Sequence, residues 1–140
     1  MNEQDHTQTV MNIYAAIGRG DVEAILEHVA ADVDWAADAA GDAAPWYGAR
    51  TDHAGVARFF GDLAAGIEIT EFVPHAYAAT GAHVHNLVRW SFRVRATGRG
   101  VSMTMHHYWE FHDGKVVRFR GSEDTALTAA AFARDAALSG

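Results

Sequence analysis

The chain has 140 residues, 49% of them hydrophobic, with 2 prolines and no cysteine, which leads us to expect one domain over residues 1–140 and excludes disulfides, thiolate nucleophiles and cysteine-based metal sites. Its formal net charge of −7 divides unevenly, −10 over residues 1–80 and +3 over residues 81–140, so nucleic acid is not an expected partner. The opening MNEQDHTQTV lacks the basic segment and apolar core of a signal peptide, and no apolar run reaches spanning length; a cytoplasmic protein with no membrane partner is expected.

Val10, Ile13, Tyr14 and Ile17 recur at i, i+3, i+4 and i+7, an apolar stripe on a first helix over residues 5–18 that Gly18 and Gly20 end. Asp21 is placed to cap a second helix with the stripe Val22, Ile25, Leu26 and Val29. Val33, Trp35 and Ala37 then alternate with Asp34, Ala36 and Asp38, as in a strand with its apolar face inward, and AAGDAAPWYGAR reads as a loop. Thr51 or Asp52 caps a third helix that carries Val56, Phe59, Phe60 and Leu63 on one face and closes at Gly66. Strands follow at 67–79, 82–96, 101–111 and 115–123, separated by TGA, ATGRG and HDGK, with Asp113-Gly114 the strongest hairpin signal. Asp124 precedes an alanine-rich helix, TALTAAAFARDAAL. The expected architecture is α+β: a curved antiparallel sheet, three helices from the first half packed on its concave face, and a short C-terminal helix.

The residue that bears chemistry most plainly is His107. It falls in the alternation Val101, Met103, Met105, His107, Trp109, Phe111, so it is the one ionisable group on an otherwise apolar face, while His106 points outward. A buried imidazole is either a proton-transfer group or a core histidine satisfied by a neighbour, and the residues alone leave both open. His83 and His85 share a strand face and begin a metal-ligand pattern, but no third ligand stands at a telling distance and no metal is assigned. Arg89, Arg93 and Arg95 on one strand, with Arg118 and Arg120 on another, form an outer-face stripe expected to pair with acids from the first half. His75 and Tyr77 share a face of the 67–79 strand, at a cavity rim or simply on the surface. Trp46 and Tyr47 stand in the loop before the third helix, as a lid or as packing.

Four segments carry a resemblance: the Tyr14 helix ending in GRGD, the ADVDW strand, WYGARTDHAGVARFF, and HHYWEFHDGKVVRFRGSEDT. In this order and spacing, over roughly residues 5–128, the chain resembles the nuclear transport factor-like superfamily, a cone-shaped α+β fold, and within it the SnoaL-like and ketosteroid isomerase-like proteins. In the ketosteroid isomerases a first-helix tyrosine and a protonated aspartic acid on a central strand form the oxyanion hole, and a second aspartate moves the proton. Tyr14 matches the tyrosine, and His107 falls at the protonated acid, allowing one residue of difference in the turn. The base position falls on Ala37; Asp38 is one residue off and turns inward only through a bulge. In limonene epoxide hydrolases, Arg89 and Asp124 match two members of an Asp–Arg–Asp set, and Ser91 stands where the other carboxylate is needed. SnoaL-type cyclases place an acid–base aspartate near the end of the last strand, where Asp124 is the nearest match.

The resemblance implies a cofactor-independent enzyme, of the isomerase, cyclase or dehydratase type, that moves a proton next to the carbonyl of a small apolar or aromatic compound. His107 and Tyr14 are the implied donors to the enolate oxygen, or His107 the base, with Asp124 or Asp38 as the carboxylate. Trp35, Phe59, Trp90, Met105, Trp109, Phe119 and Trp46 are expected to form the wall that meets the ligand. Glu123, inward if the last strand stays regular, is placed behind Asp124 on the resemblance alone. A homodimer through the outer sheet face is also implied. The alternative is a non-catalytic ligand-binding or dimerisation module of the same fold.

Overall fold

Asn2 caps the first helix, α1 (Glu3–Arg19), in a capping box with Asp5, and Gly20 closes it in the left-handed conformation at φ 68°. In the computed structural model, which describes residues 2–133, α1 leads into a five-residue α2 (Val22–Leu26) capped by Asp21. Val29, expected as the last apolar position of that helix, instead opens β1 (Val29–Asp38), where it is buried and paired with Val116. The loop reading of residues 39–50 also needs correction: its last three residues form β2 (Gly48–Arg50), antiparallel to β1 with Trp35 opposite Arg50. Asp52 caps α3 (His53–Gly66), accepting from the Gly55 amide at 2.7 Å.

Four long strands then follow: β3 (Ile67–Thr80), β4 (His83–Val94), β5 (Gly100–His112) and β6 (Lys115–Ser122). Asp113 and Gly114 both take positive φ, 49° and 77°, the primed turn that an Asp-Gly pair favours between paired strands. The sheet order is β2-β1-β6-β5-β4-β3. The expected curved antiparallel sheet is present, and within it one pair, β1 beside β6, runs parallel. β3 is bulged twice, between Ile69 and Glu71 and between His75 and Ala78, with Ala76 at φ 57°. The second bulge overturns the shared face of His75 and Tyr77: His75 is exposed, whereas Tyr77 is half-buried and meets the Tyr14 ring edge-on at 6.4 Å.

Strict alternation on β4 and β5 sends Val84, Asn86, Val88, Trp90, Phe92 and Val94, and Val101 to Phe111, into the concave side. Val10, Ile13 and Tyr14 of α1 and Val56 and Phe59 of α3 are buried with them in one core. On the outer face Arg89 lies 3.3 Å from Glu71, and Arg118 and Arg120 lie 3.4 and 2.9 Å from Asp34, pairing with acids of the first half as expected; Arg95, expected on the same strand as Arg89, instead lies in the turn after β4 and donates to the Ala64 carbonyl at 3.1 Å. Asp124 caps the last helix, α4 (Thr125–Phe132); residues 134–138 of the expected longer helix lie outside the described residues. No helix among the described residues is long and apolar enough to cross a membrane.

Candidate functional site

Between the sheet and helices α1 and α3 lies a cavity with about 60 Å³ of space that water centres can occupy, several times what one water needs, so the cone is not filled by its own side chains. All seven residues expected in its wall are there: Trp35, Phe59, Trp90, Met105, Trp109, Phe119 and Trp46. The wall is mostly aromatic; Tyr14, His107 and Glu123 are its titratable members, and the indole N–H groups of Trp35 and Trp90 in it have no hydrogen-bond partner among the described residues.

Two of these belong to one directed chain of hydrogen bonds. An indole nitrogen can only donate, so the Trp109 Nε1–H, 3.0 Å from Asn86, identifies its acceptor as the amide oxygen. The other end of the amide is then the NH₂ group, which donates to the Tyr14 hydroxyl oxygen at 2.8 Å. Tyr14 is left with its own proton to give, and because Nδ1 of His107, 2.6 Å away, is the acceptor within reach of that hydroxyl among the described residues, we assign Tyr14 as the donor. With Nδ1 an acceptor, the neutral imidazole carries its hydrogen on Nε2. Among the described residues nothing bonds that nitrogen, and it lies beside Gly121, which also lines the cavity. The chain therefore runs from Trp109 through Asn86 and Tyr14 to His107 and ends on an N–H at the cavity wall.

Burial supports this neutral state. It pushes the His107 pKa down from 6.5 to about 3, helped by the neighbouring His106, and it pushes the Tyr14 hydroxyl up despite the bond from Asn86. One expectation is corrected here. Tyr14 was to donate to the ligand oxygen beside His107, but its proton is already committed to Nδ1, so it positions the imidazole instead.

The carboxylates are corrected too. Asp38 pairs regularly with Ser122, and no bulge interrupts β1 after Asp34, so Ala37 faces the cavity and Asp38 faces out, exposed and 3.7 Å from Arg120. Asp124 is exposed and spends one oxygen on the Leu127 amide at 3.1 Å, as the cap of α4. The carboxyl that does line the cavity is Glu123, on the same parity as Phe119 and Gly121. Trp46 Nε1 donates to one of its oxygens at 3.1 Å, and Tyr47 at 3.2 Å and Thr128 donate to the other. Burial raises its pKa, and those three bonds partly offset the rise. Trp46 and Tyr47 are thereby tied to the end of β6 by Glu123, the packing reading of that loop.

The remaining candidates lie elsewhere. Arg89 and Ser91 are on the outer face, with Arg89 paired to Glu71, so the epoxide-hydrolase set is not assembled. His83 bonds the Tyr108 hydroxyl at 2.7 Å, and the described residues hold no group of three or more His, Cys, Asp or Glu suited to a metal ion. Two site residues escaped the sequence reading, Asn86 and Gly121. Asn86 was legible by the rule that found His107, since it alternates with Val84, Val88 and Trp90. Gly121 carries no sequence signal of its own.

Residues 10–119 match the family model of the SnoaL-like domain. In structure the chain is similar to an NTF2-like protein from Burkholderia xenovorans LB400, with a TM-score of 0.86 and 27% identity over 95% of this chain and 99% of that one. It is similar to an NTF2-like protein from Burkholderia pseudomallei K96243, at 0.85 and 24% identity over 93% and 98%. It also shares its fold with TerC, co-crystallised with polyporic acid, at 0.81 and 20% identity over 91% and 98%. No curated protein matches the chain by sequence.

Proposed function

We propose that this chain, which belongs to the SnoaL-like family, is a small-molecule enzyme that moves a proton next to the carbonyl of an apolar, aromatic-sized compound, in an isomerisation, cyclisation or dehydration. The observation that carries the proposal is the hydrogen-bond chain that delivers an unpartnered Nε2–H of His107 to an aromatic cavity. In this reading the substrate carbonyl accepts from His107. As the α-hydrogen leaves, charge grows on the oxygen, and a fixed donor in a water-poor site is worth about 100- to 1,000-fold in rate. Glu123 takes the proton. Its raised pKa makes it a stronger base than a solvated carboxylate, while Trp46, Tyr47 and Thr128 hold it in place. The roles differ from those of the resemblance: one donor instead of two, and Glu123 instead of Asp38 or Asp124. The chemistry draws on no cofactor.

The experiment is hydrogen–deuterium exchange at the α-carbon of bicyclic ketones such as 2-tetralone in D₂O, followed by NMR. The parent protein is expected to accelerate exchange, His107→Phe and Glu123→Gln to remove most of the acceleration, and Asp124→Asn to retain it. Equal rates in all four proteins would sink the catalytic role. The second reading, a ligand-binding module, is favoured by one observation: both Glu123 oxygens already accept hydrogen bonds. It is the outcome if the ketones bind without exchange. For the outer sheet face we propose a homodimer contact, which sedimentation at micromolar concentration checks and a monomer there would exclude.

A further inference from the structure

Ile69 and Phe72 stand three residues apart on β3, and in a regular strand an odd spacing sends two side chains to opposite faces. Both nevertheless line the cavity. The bulge between Ile69 and Glu71 supplies the extra residue, so that Ile69 pairs with Phe92 and Phe72 with Trp90, both buried on β4, while Glu71 pairs with Ser91 of the outer face. The bulge thus adds a second apolar side chain of β3 to the wall, yet does not bury it. Of the exposed large apolar side chains among the described residues, Met11, Ile69, Val73 and Leu127, Ile69 alone lines the cavity, and it is 42% exposed.

Exposure along the wall is graded. Trp35, Phe59, Met105, His107, Trp109 and Phe119 are buried. Ile17 at the end of α1, Phe60 and Leu63 on α3 and Phe72 on β3 are half-buried, and Ile69 is exposed. Glu123 is half-buried as well, but Trp46, Tyr47 and Thr128 close over its oxygens. The cavity therefore opens between α1, α3 and the start of β3, and that opening carries no titratable wall residue. It is also far from the imidazole. Phe72 and Ile69 pair with Trp90 and Phe92, four and six residues along β4 from Asn86, the partner of His107. At the rise of a strand those steps are about 13 and 20 Å.

We propose that this opening is a subsite for an apolar arm: the substrate carries, on the side away from its carbonyl, an alkyl chain that runs past Phe72 and covers Ile69. This rests on the proposed placing of the carbonyl at His107, and it adds the substrate class, a ketone with an apolar tail, and the direction in which it lies. A compact ketone leaves Ile69 in water. A tail that ends in a charge gives up hydration against apolar side chains.

The test uses the whole chain with 2-tetralone, its 6-ethyl, 6-butyl and 6-hexyl derivatives, and 6-(5-carboxypentyl)-2-tetralone, binding being followed by tryptophan fluorescence. In the parent, affinity should rise about two- to fourfold per methylene along the alkyl series, the value of apolar surface removed from water. The carboxylate-ended tail should bind at least tenfold more weakly than hexyl. Ile69→Lys puts an ammonium at the opening: most of the hexyl gain should disappear, and the carboxylate-ended tail should bind about two- to fivefold more tightly than it does to the parent, the value of an exposed ion pair. A damaged fold does not produce that gain. Val73→Lys, exposed on the same strand but opposite Arg89 on the outer face, should match the parent with both tails. A flat alkyl series in a parent that binds 2-tetralone would overturn the arm subsite and leave the carbonyl reading standing. Ile69→Lys and Val73→Lys behaving alike toward both tails would also overturn it. If none of the tetralones binds, the carbonyl reading has itself failed, and the arm subsite with it.

Discussion

Acid titration of His107 puts the hydrogen-bond chain to a quantitative test that needs no substrate. Its pKa falls from 6.5 to about 3 on folding, chiefly because burial disfavours the imidazolium. Between those values the unfolded chain holds a proton that the folded chain does not, so stability is lost as pH falls through 6.5 toward 3. At about pH 4.5 the linkage relation gives a loss of roughly 2.5 kcal/mol relative to pH 7, and any folded pKa below about 4 gives nearly the same figure. Glu123 acts in the opposite sense, because a carboxyl raised by burial favours the folded state as pH falls. That contribution is present in parent and variant alike. The assay is therefore urea unfolding of the parent and of His107→Phe at both pH values. His107→Phe strands the Tyr14 hydroxyl and is destabilised at each pH, but that cost does not titrate in this range and cancels in the difference. The parent should lose about 2.5 kcal/mol more than the variant on acidification. A difference below about 0.5 kcal/mol would mean that His107 is not held neutral by burial, and the assignment of its tautomer would fall with it.

Tyr14→Phe removes the hydroxyl that receives from Asn86 and supplies Nδ1, leaving two buried polar groups short of a partner; a loss of about 1–3 kcal/mol is expected in chemical unfolding. The same variant frees the imidazole to change tautomer, and ¹⁵N NMR of His107 should show Nε2 protonated in the parent and a mixture in the variant. Asn86→Leu deprives both the Trp109 indole and the Tyr14 oxygen of their partner and should shift the same ¹⁵N signals although it does not touch His107, with unchanged signals counting against a directed chain. Trp46→Phe keeps most of the aromatic packing against Trp90, Phe92 and Phe132 but loses the bond to Glu123; about 1 kcal/mol of stability should go. Amide exchange should also quicken across residues 39–47, and protection equal to the parent's would show that Glu123 does not tie down that loop.

How far the molecule can be read from its sequence follows from which forces are local. The period-2 pattern of β5 exposed His107 as an inward group because alternation is a property of the strand itself, and the structure keeps that alternation from Val101 to Phe111. Asp52 and Asp124 were legible as caps for the same reason, since a cap is satisfied within three residues. The parallel β1–β6 pairing and the bulge at Ala76 were not, because both depend on strands distant in sequence, and the bulge reverses the faces of His75 and Tyr77 after a single residue. The carboxylate shows the limit most sharply. Resemblance favoured Asp124 over Glu123, yet the parity of Phe119 and Gly121 already turned Glu123 inward, and a residue in a helix cap cannot also face the cavity when its oxygen is held by Leu127. Strand parity was the stronger physical argument, because one residue of register exchanges cavity for solvent. It also explains why Glu123, which directly follows Ser122 at the end of β6, keeps the parity of Phe119 and Gly121 and faces the cavity.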